Sequence, residues 1–218
     1  NSMGARVFGA GTSTIIIRGV KKLHGTEHTV MPDRIVAGTL LVGAAITGGE
    51  VLLNNTCHEQ VASVISKLRD AGCEFELKDE SIKITAPRKP KSVGLIETLP
   101  YPGFPTDMQA QMAALQCVST GTCILVENVF ESRFKYTSEL KKMGANITIK
   151  NQTAIIGGVP ELNGANVSSC DLRGGAALTL AALAAKGTTN ISDVHLIDRG
   201  YYKFEEMLSS LGADIVRR

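Results

Sequence analysis

Several signatures of common protein classes are missing from this chain of 218 residues. No apolar run reaches the roughly 18 residues that a membrane-spanning helix needs. The charge is nearly balanced, with 23 Lys and Arg residues against 21 Asp and Glu residues, so no basic surface for nucleic acid or anionic lipid is predicted. The phosphate loop GxxxxGK[ST], the hydrolase motif GxSxG and the zinc-protease motif HExxH are all absent. We therefore expect neither nucleic acid nor a membrane as a partner.

Cysteine is scarce and carries no metal-binding or pairing motif. None of the five cysteines belongs to a CxxC pair, and no histidine follows at zinc-site spacing, so we expect no metal and no cofactor. An odd number of unpaired cysteines is typical of a reducing compartment, which indicates a cytoplasmic protein. Cys117, in a predicted helix, and Cys123, in a predicted strand, are interpreted as small buried hydrophobic residues rather than catalytic ones.

The chain contains an internal repeat. Each copy reads as an Ala- and Leu-rich helix, a glycine, a short β-rich run, a second helix ending at a glycine, and a strand. The glycines that end the two helices of a copy are 23, 23 and 25 residues apart. One copy is too small to bury its own apolar face, so we expect all copies to share one core. The copies span Leu40–Ile84, Met108–Ile156 and Leu172–Arg217.

The first residues resemble the end of a copy that is otherwise absent. Met3-Gly4-Ala5-Arg6-Val7 matches the run from Met143 to Ile147. We interpret residues 1–20 as the tail of a preceding domain and the chain as a piece of a longer protein; a complete, compact protein is the alternative. Residues 21–218 would then form one domain, with repeats at about 21–90, 91–160 and 161–218.

Charged residues recur at equivalent helix entrances. Asp107, Asp171 and Arg173 lie near the start of a first helix of their repeats, while Arg133 and Arg199 each follow that helix's terminal glycine by 12 residues. Helix N-termini carry free N–H groups and a positive dipole end, so such a cluster attracts anions. The alternatives are that the aspartates only cap helices and that the arginines only form surface ion pairs.

Three arginines on matching loops, Arg34, Arg173 and Arg199, could together bind a phosphate or carboxylate in bidentate fashion. The spacing by itself supports an anion-binding α/β domain and nothing more specific.

Five motifs then carry a resemblance to a known family. The chain resembles the C-terminal half of the UDP-N-acetylglucosamine enolpyruvyl transferases, also called 1-carboxyvinyltransferases. "FPTDMQAQ" is the most specific motif, whereas the others are shared in part with related enolpyruvyl transferases. The motifs are "MPDRIVAGTLLVGAAITGG" (31–49), "FPTDMQAQ" (104–111), "VFESRF" (129–134), "DLRGGAALTLA" (171–181) and "HLIDRGY" (195–201).

The resemblance implies both a fold and an activity. The fold would be an inverse α/β barrel domain of three βαβαββ-like repeats with inner helices and outer sheets. The activity would transfer the enolpyruvyl group of phosphoenolpyruvate to the 3-hydroxyl of UDP-N-acetylglucosamine and release phosphate, the first committed step of bacterial peptidoglycan synthesis. These two substrates and the absent N-terminal domain of the same protein are the implied partners.

The resemblance also assigns roles to individual residues. Asp107 matches the carboxylate that binds the sugar 3-hydroxyl and serves as the base, a role that suits a positioned carboxylate. Arg173 and Arg199 match arginines that handle the phosphate and carboxylate of phosphoenolpyruvate, and are expected to be catalytic with Asp107. The residues expected to bind substrate are Thr106, Asp107, Val129, Arg133, Asp171 and Arg34.

Other family features are absent from these residues. The N-terminal lysine-asparagine pair and the mobile loop with the cysteine that fosfomycin alkylates have no counterpart here, so we expect no turnover from this chain by itself. A domain like 5-enolpyruvylshikimate-3-phosphate synthase is the nearest alternative, although "PTDMQAQ" argues against it. A non-catalytic ligand-binding domain of the same fold is another alternative, and a protein like RNA-terminal-phosphate cyclase is disfavoured by the missing basic stripe.

Overall fold

Six α-helices and thirteen short strands make up the chain, and the computed structural model describes all residues from 1 to 218. None of the helices combines the length and apolar character that crossing a membrane requires. The helices are α1 (Arg34–Thr47), α2 (Ala62–Asp70), α3 (Gln109–Val118), α4 (Tyr136–Lys142), α5 (Leu172–Ala184) and α6 (Phe204–Ser210). The strands are β1 (Arg6–Phe8), β2 (Ile16–Arg18), β3 (Glu50–Asn54), β4 (Glu74–Lys78), β5 (Ser81–Thr85), β6 (Leu95–Glu97), β7 (Thr122–Val126), β8 (Asn146–Lys150), β9 (Thr153–Gly157), β10 (Leu162–Asn163), β11 (Asn166–Ser168), β12 (Ala185–Lys186) and β13 (Asn190–Ser192).

The contacts divide the chain into two units, Asn1–Pro32 and Asp33–Arg218. In the first unit, β1 and β2 form an antiparallel hairpin in which Val7 faces Ile17. The second unit contains all six helices and the whole of the apolar core. The predicted tail ends at residue 20, and the structure assigns no helix or strand to residues 19–32.

The first two repeats end in the same sheet arrangement. The first repeat has the strand order β3-β5-β4, with β5 antiparallel to both neighbours. The second has the order β6-β7-β9-β8, with β9 antiparallel to β7 and β8. In each sheet the last strand of the repeat is therefore the central one. The alternating burial along these strands buries one face against the core and leaves the other exposed.

The third repeat departs from this arrangement. It contributes only two short parallel pairs, β10 with β12 and β11 with β13. The strand expected at the end of this repeat does not form, because residues 213–218 have no central strand beside them to accept their backbone hydrogen bonds. A cavity of about 830 Å³ lies here among α1, α5 and the last residues, with Leu40, Leu183 and Ile215 in its lining.

The first helices of the three repeats form the interior. Helices α1, α3 and α5 pack against one another, and every residue of α3 is buried. A helix that is surrounded on all sides has no solvent face, and α3 is accordingly rich in apolar residues, although Gln109, Gln111 and Gln116 are buried with them. This arrangement of inner helices and outer sheets agrees with the predicted fold class.

Glycine lets one loop approach α5 closely. A Cβ atom added to Gly175 would lie 2.6 Å from Ile197 Cγ1 and 2.6 Å from Ser169 Oγ. Ile197 belongs to the 3₁₀ turn Val194–Arg199, so this turn packs tightly on the first turns of α5. The contact brings the segment that carries Arg199 next to the segment that carries Arg173.

Candidate active site

Asp107 occupies a 3₁₀ turn, Thr106–Met108, that leads into α3. Its side chain makes no capping bond to this helix entrance. The aspartates at the other two entrances behave differently. Asp33 accepts hydrogen bonds from the N–H groups of Ile35 and Val36 at 2.7 and 3.2 Å, and Asp171 caps α5 in the same way. Of the three aspartates, only Asp107 takes no part in capping a helix.

Two arginines hold the Asp107 carboxylate. Arg133 Nη2 donates to Oδ1 at 2.5 Å, and Arg173 Nη2 donates to Oδ2 at 3.1 Å. The side chains of Arg133 and Arg173 are 20% and 13% exposed, and that of Asp107 is 39% exposed. Solvent therefore reaches the carboxylate more easily than it reaches the two guanidinium groups. The site therefore presents an anion between two cations at the surface of the core.

The two arginines set the protonation state of Asp107. Burial by itself raises the pKa of this carboxyl group, but the hydrogen bonds and positive charges of Arg133 and Arg173 outweigh burial and hold the pKa below the usual 3.8. Asp107 is consequently ionised at neutral pH. The same pairing makes it a weaker proton acceptor than a free aspartate for as long as both arginines remain in place.

A second carboxylate, Glu127, lies beneath this cluster and is fully buried. Its Oε1 accepts hydrogen bonds from Thr98 Oγ1 at 2.8 Å and from the N–H groups of Val129 and Phe130 at 2.9 and 3.1 Å. Its Oε2 accepts the hydroxyl of Thr106 at 2.8 Å. Glu127 thus joins the turn before α3 to the loop that follows β7.

The hydroxyl of Tyr201 holds the opposite side of the cluster. It lies 2.9 Å from Thr39 Oγ1, and it accepts from Gln111 Nε2 at 3.1 Å and from Arg173 Nη1 at 3.3 Å. Arg173 also lies over the Tyr201 ring, 5.6 Å from its centre. Tyr201, Thr39 and Gln111 are buried, so this network fixes Arg173 from the interior side while Asp107 holds it from the outside.

A cavity of about 360 Å³ opens beside Asp107. Arg34, the first residue of α1, lines it together with Thr106, Val129 and Tyr101. The Arg34 guanidinium lies 6.0 Å from the centre of the Tyr101 ring and forms no ion pair. The cavity is large enough for part of a small polar ligand and has one free positive charge on its wall.

The sequence matches an established family. The family model described as EPSP synthase (3-phosphoshikimate 1-carboxyvinyltransferase) matches residues 1–208. The chain belongs to the EPSP synthase family.

Curated relatives within this group carry a different substrate in their names. The chain is 52% identical over 217 residues to UDP-N-acetylglucosamine 1-carboxyvinyltransferase 2 of Caldanaerobacter subterraneus subsp. tengcongensis, covering 100% of this chain and 52% of the relative. It is 52% identical over 217 residues to the UDP-N-acetylglucosamine 1-carboxyvinyltransferase of Geobacter metallireducens, with the same coverage. The chain therefore spans about half the length of the curated relatives it matches.

Solved structures of enolpyruvyl transferases confirm the fold. The enolpyruvyl transferase NikO from Streptomyces tendae superposes with a TM-score of 0.86 at 26% identity, covering 98% of this chain and 51% of that protein. An EPSP synthase from Acinetobacter baumannii superposes with a TM-score of 0.74 at 23% identity, covering 97% of this chain and 53% of that one. The predicted fold class, the enolpyruvyl transferase type, is confirmed.

The structure brings only some of the predicted site residues into contact. Thr106 accepts from Arg133 Nη1 at 2.7 Å and therefore joins the group of Asp107, Arg133 and Arg173. Val129 and Arg34 line the neighbouring cavity. Because Val129 donates its N–H to Glu127, its carbonyl oxygen is the backbone group left for a ligand.

Two predicted residues stand apart from the carboxylate of Asp107. Asp171 uses Oδ1 to cap α5, accepting from the N–H groups of Arg173 and Gly174 at 3.0 and 2.7 Å. Arg199 is exposed and makes no ion pair or hydrogen bond. Its neighbour Gly200 approaches Arg173, since a Cβ added there would lie 3.7 Å from Arg173 Nη1. The roles of Asp171 and Arg199 in binding substrate stay predictions.

Sequence reasoning missed the residues that hold the cluster together. Glu127, Tyr201, Gln111 and Thr39 were not among the predicted site residues. The first three contact a member of the cluster, and Thr39 contacts Tyr201 and Gln111. A signal was available for Glu127, because a carboxylate follows the apolar strand sequence "CILV" directly. Tyr201 ends the motif "HLIDRGY", but nothing in its spacing points to Arg173.

Proposed function

We propose that this chain is the catalytic half of a UDP-N-acetylglucosamine 1-carboxyvinyltransferase. Its substrates would be UDP-N-acetylglucosamine and phosphoenolpyruvate, and its role would be the first committed step of bacterial peptidoglycan synthesis in the cytoplasm. The observation that carries the proposal is the Asp107 carboxylate held between Arg133 and Arg173 beside a cavity that Arg34 also lines. The 52% identity to curated relatives of that name supports the choice of sugar nucleotide.

The reaction sets the demands on this site. A bond forms between the sugar 3-oxygen and C2 of phosphoenolpyruvate, the bond between C2 and the phosphate oxygen breaks, and the hydroxyl proton leaves with the phosphate as the net product. A base must accept that proton while the new bond forms. Asp107 is the carboxylate in the site that neither caps a helix nor lies fully buried, so it is the group suited to this role.

Substrate binding would change the state of Asp107. Phosphoenolpyruvate carries a phosphate and a carboxylate, and both are good bidentate partners for an arginine. When such an anion takes Arg173, Asp107 loses one of the two cations that depress its pKa. The carboxylate then becomes a better proton acceptor at the time the reaction needs one. Arg34 and Arg199, which form no ion pair, supply further positive charge for the incoming anion.

The activity would require the rest of the protein. The chain spans about half the length of its relatives, and we propose that a further domain supplies the other wall of the cleft. Phosphate release from the purified chain of 218 residues would contradict this part of the proposal. No cofactor and no metal are part of the proposed chemistry.

Calorimetric titration of this chain tests the substrate assignment. UDP-N-acetylglucosamine should bind, and 3-phosphoshikimate should not, although the family model's description names the shikimate enzyme. Asp107→Ala should weaken sugar-nucleotide binding by about tenfold, the effect of losing a charged hydrogen-bond partner. Lys150→Ala, on the exposed strand end of β8, is the matched control and should leave binding unchanged. Binding of 3-phosphoshikimate alone would instead support the shikimate alternative.

A further inference from the structure

We propose that Glu127 is a positioning residue that couples the turn carrying Thr106 and Asp107 to the loop carrying Val129 and Arg133. The effect of this coupling on catalysis rests on the function proposed above, but the coupling itself can be tested without any ligand. Glu127 is fully buried and does not line the cavity beside Asp107, so it acts through other residues.

The two oxygens of Glu127 serve different segments. Oε1 holds the loop, since it accepts the N–H groups of Val129 and Phe130 at 2.9 and 3.1 Å. Oε2 holds the turn before α3, since it accepts the hydroxyl of Thr106 at 2.8 Å. A single rigid carboxylate therefore fixes the spacing between two segments that are more than 20 residues apart in the chain.

The hydroxyls around Glu127 are already committed as acceptors. Thr98 Oγ1 accepts the N–H of Asn128 at 2.8 Å, and Thr106 Oγ1 accepts Arg133 Nη1 at 2.7 Å. Each hydroxyl can therefore give its own proton to Glu127, and the carboxylate functions only as an acceptor. Four donors satisfy it, which is what a buried carboxylate needs to avoid the cost of desolvation.

The chain of bonds continues from Glu127 to the reacting carboxylate. Thr106 receives one end of the Arg133 guanidinium, and the other end of the same guanidinium holds Asp107 Oδ1 at 2.5 Å. Thr106 gives its hydroxyl proton to Glu127 and accepts from Arg133 with the same oxygen, so one hydroxyl links the two residues. Glu127 thereby fixes which oxygen of Asp107 is paired with Arg133 and which remains nearer to Arg173.

Two variants separate the two functions of Glu127. In Glu127→Gln the amide oxygen can still accept from the loop, but the amide nitrogen becomes a donor facing Thr106 Oγ1, which already accepts from Arg133. In Glu127→Ala both connections are lost. Glu139→Gln is the matched control, because Glu139 also accepts a backbone N–H, that of Ser168 at 3.0 Å, but lies on α4 outside the cluster.

The decisive readout is the titration of the Asp107 carboxyl carbon by NMR in the ligand-free chain. Removing the charge of Glu127 would by itself lower the pKa of Asp107, because a neighbouring carboxylate disfavours ionisation. Loss of the hydrogen bond from Arg133 would have the opposite effect and raise the pKa of Asp107. We expect Glu127→Gln to raise the Asp107 pKa towards its ordinary value and to average the Arg133 guanidinium N–H resonances, with the Val129 and Phe130 amide resonances retained.

Each possible outcome either supports or overturns the proposal. An unchanged or lowered Asp107 pKa in folded Glu127→Gln would overturn it, as would the same rise in Glu139→Gln. If Glu127→Ala fails to fold, Glu127→Gln still gives the answer. In the same samples UDP-N-acetylglucosamine should bind about tenfold more weakly to Glu127→Gln. If the unmodified chain binds no sugar nucleotide, the proposed function fails in this chain while the pKa measurement still tests the coupling.

Discussion

Arg173 Nη2 lies 3.1 Å from Asp107 Oδ2, although the two residues belong to different repeats and are 66 positions apart. The contact exists because α3 and α5 pack side by side in the interior with their first turns at the same end. A carboxylate held by a cation from the neighbouring repeat can be released by an anion that competes for that cation. This relationship between a carboxylate and its arginine underlies the predictions that follow.

Asp107→Asn should remove a pH-dependent contribution to stability. The pKa of Asp107 is depressed in the folded chain, so the contribution is present above the unfolded value of about 3.9 and is lost as pH falls through the lower folded value. Urea unfolding should find the wild type more stable than Asp107→Asn at pH 7, with the difference closing below about pH 4. A difference that stays constant across this range would contradict the ion-pair account.

Arg199→Ala should leave stability unchanged and weaken anion binding. The side chain is exposed and makes no ion pair or hydrogen bond, so the unfolding free energy should change by no more than about 0.5 kcal/mol. Titration with phosphoenolpyruvate should show weaker binding than in the unmodified chain. Lys150→Ala removes an exposed positive charge from β8 and serves as the control for net charge. If both variants bind phosphoenolpyruvate equally weakly, the effect of Arg199 comes only from its contribution to the net charge.

Tyr201→Phe should destabilise the fold and also remove one hydrogen bond that holds Arg173 in place. The hydroxyl has three polar neighbours inside the core, Thr39, Gln111 and Arg173. Its removal takes the acceptor away from Arg173 Nη1 and one of three acceptors away from Gln111 Nε2. The expected loss is about 1–3 kcal/mol in unfolding free energy, measured by urea denaturation. Tyr202→Phe is the matched control, since that ring is 80% exposed and the change should be close to zero.

Cys170 should react slowly with a thiol reagent even though it is exposed. Burial of the sulfur, followed by the charge and hydrogen bond of Asp171, raises the pKa of this thiol to about 12. At pH 8 the reactive thiolate would be about a thousandfold scarcer than for an ordinary cysteine. Asp171→Asn should accelerate the reaction, because asparagine keeps the helix cap but removes the charge. Asp33→Asn, the same change at the cap of α1, should have no effect on Cys170.

The fold could be predicted from the sequence because its repeat carries local signals. Helix periods, terminal glycines and alternating strands recur in each copy, and these signals act within about 25 residues of chain. The last strand of the third repeat was the exception. Residues 213–216 have the right sequence for a strand, but a strand forms only beside a partner, and partner pairing is not a local property.

The site was predictable only as far as position within the repeat could indicate it. Asp107 and Arg173 lie at equivalent entrances of a first helix, and Arg133 recurs as Arg199 12 residues after the glycine that ends that helix, which the spacing identifies. The buried groups that hold them, Glu127 and Tyr201, depend on side-chain contacts between different elements, 21 and 28 positions apart in the chain. Such contacts leave no regular spacing in the sequence, because no fixed number of residues separates the two partners.

Amide NMR titration of the labelled chain with UDP-N-acetylglucosamine is the most direct test of the central claim, with 3-phosphoshikimate as the comparison ligand. The account predicts that the sugar nucleotide alone shifts the resonances of Thr106, Asp107 and Val129, which border the cavity beside the paired carboxylate. Shifts at these residues with 3-phosphoshikimate alone, or shifts with the sugar nucleotide only at residues remote from them, would contradict the account.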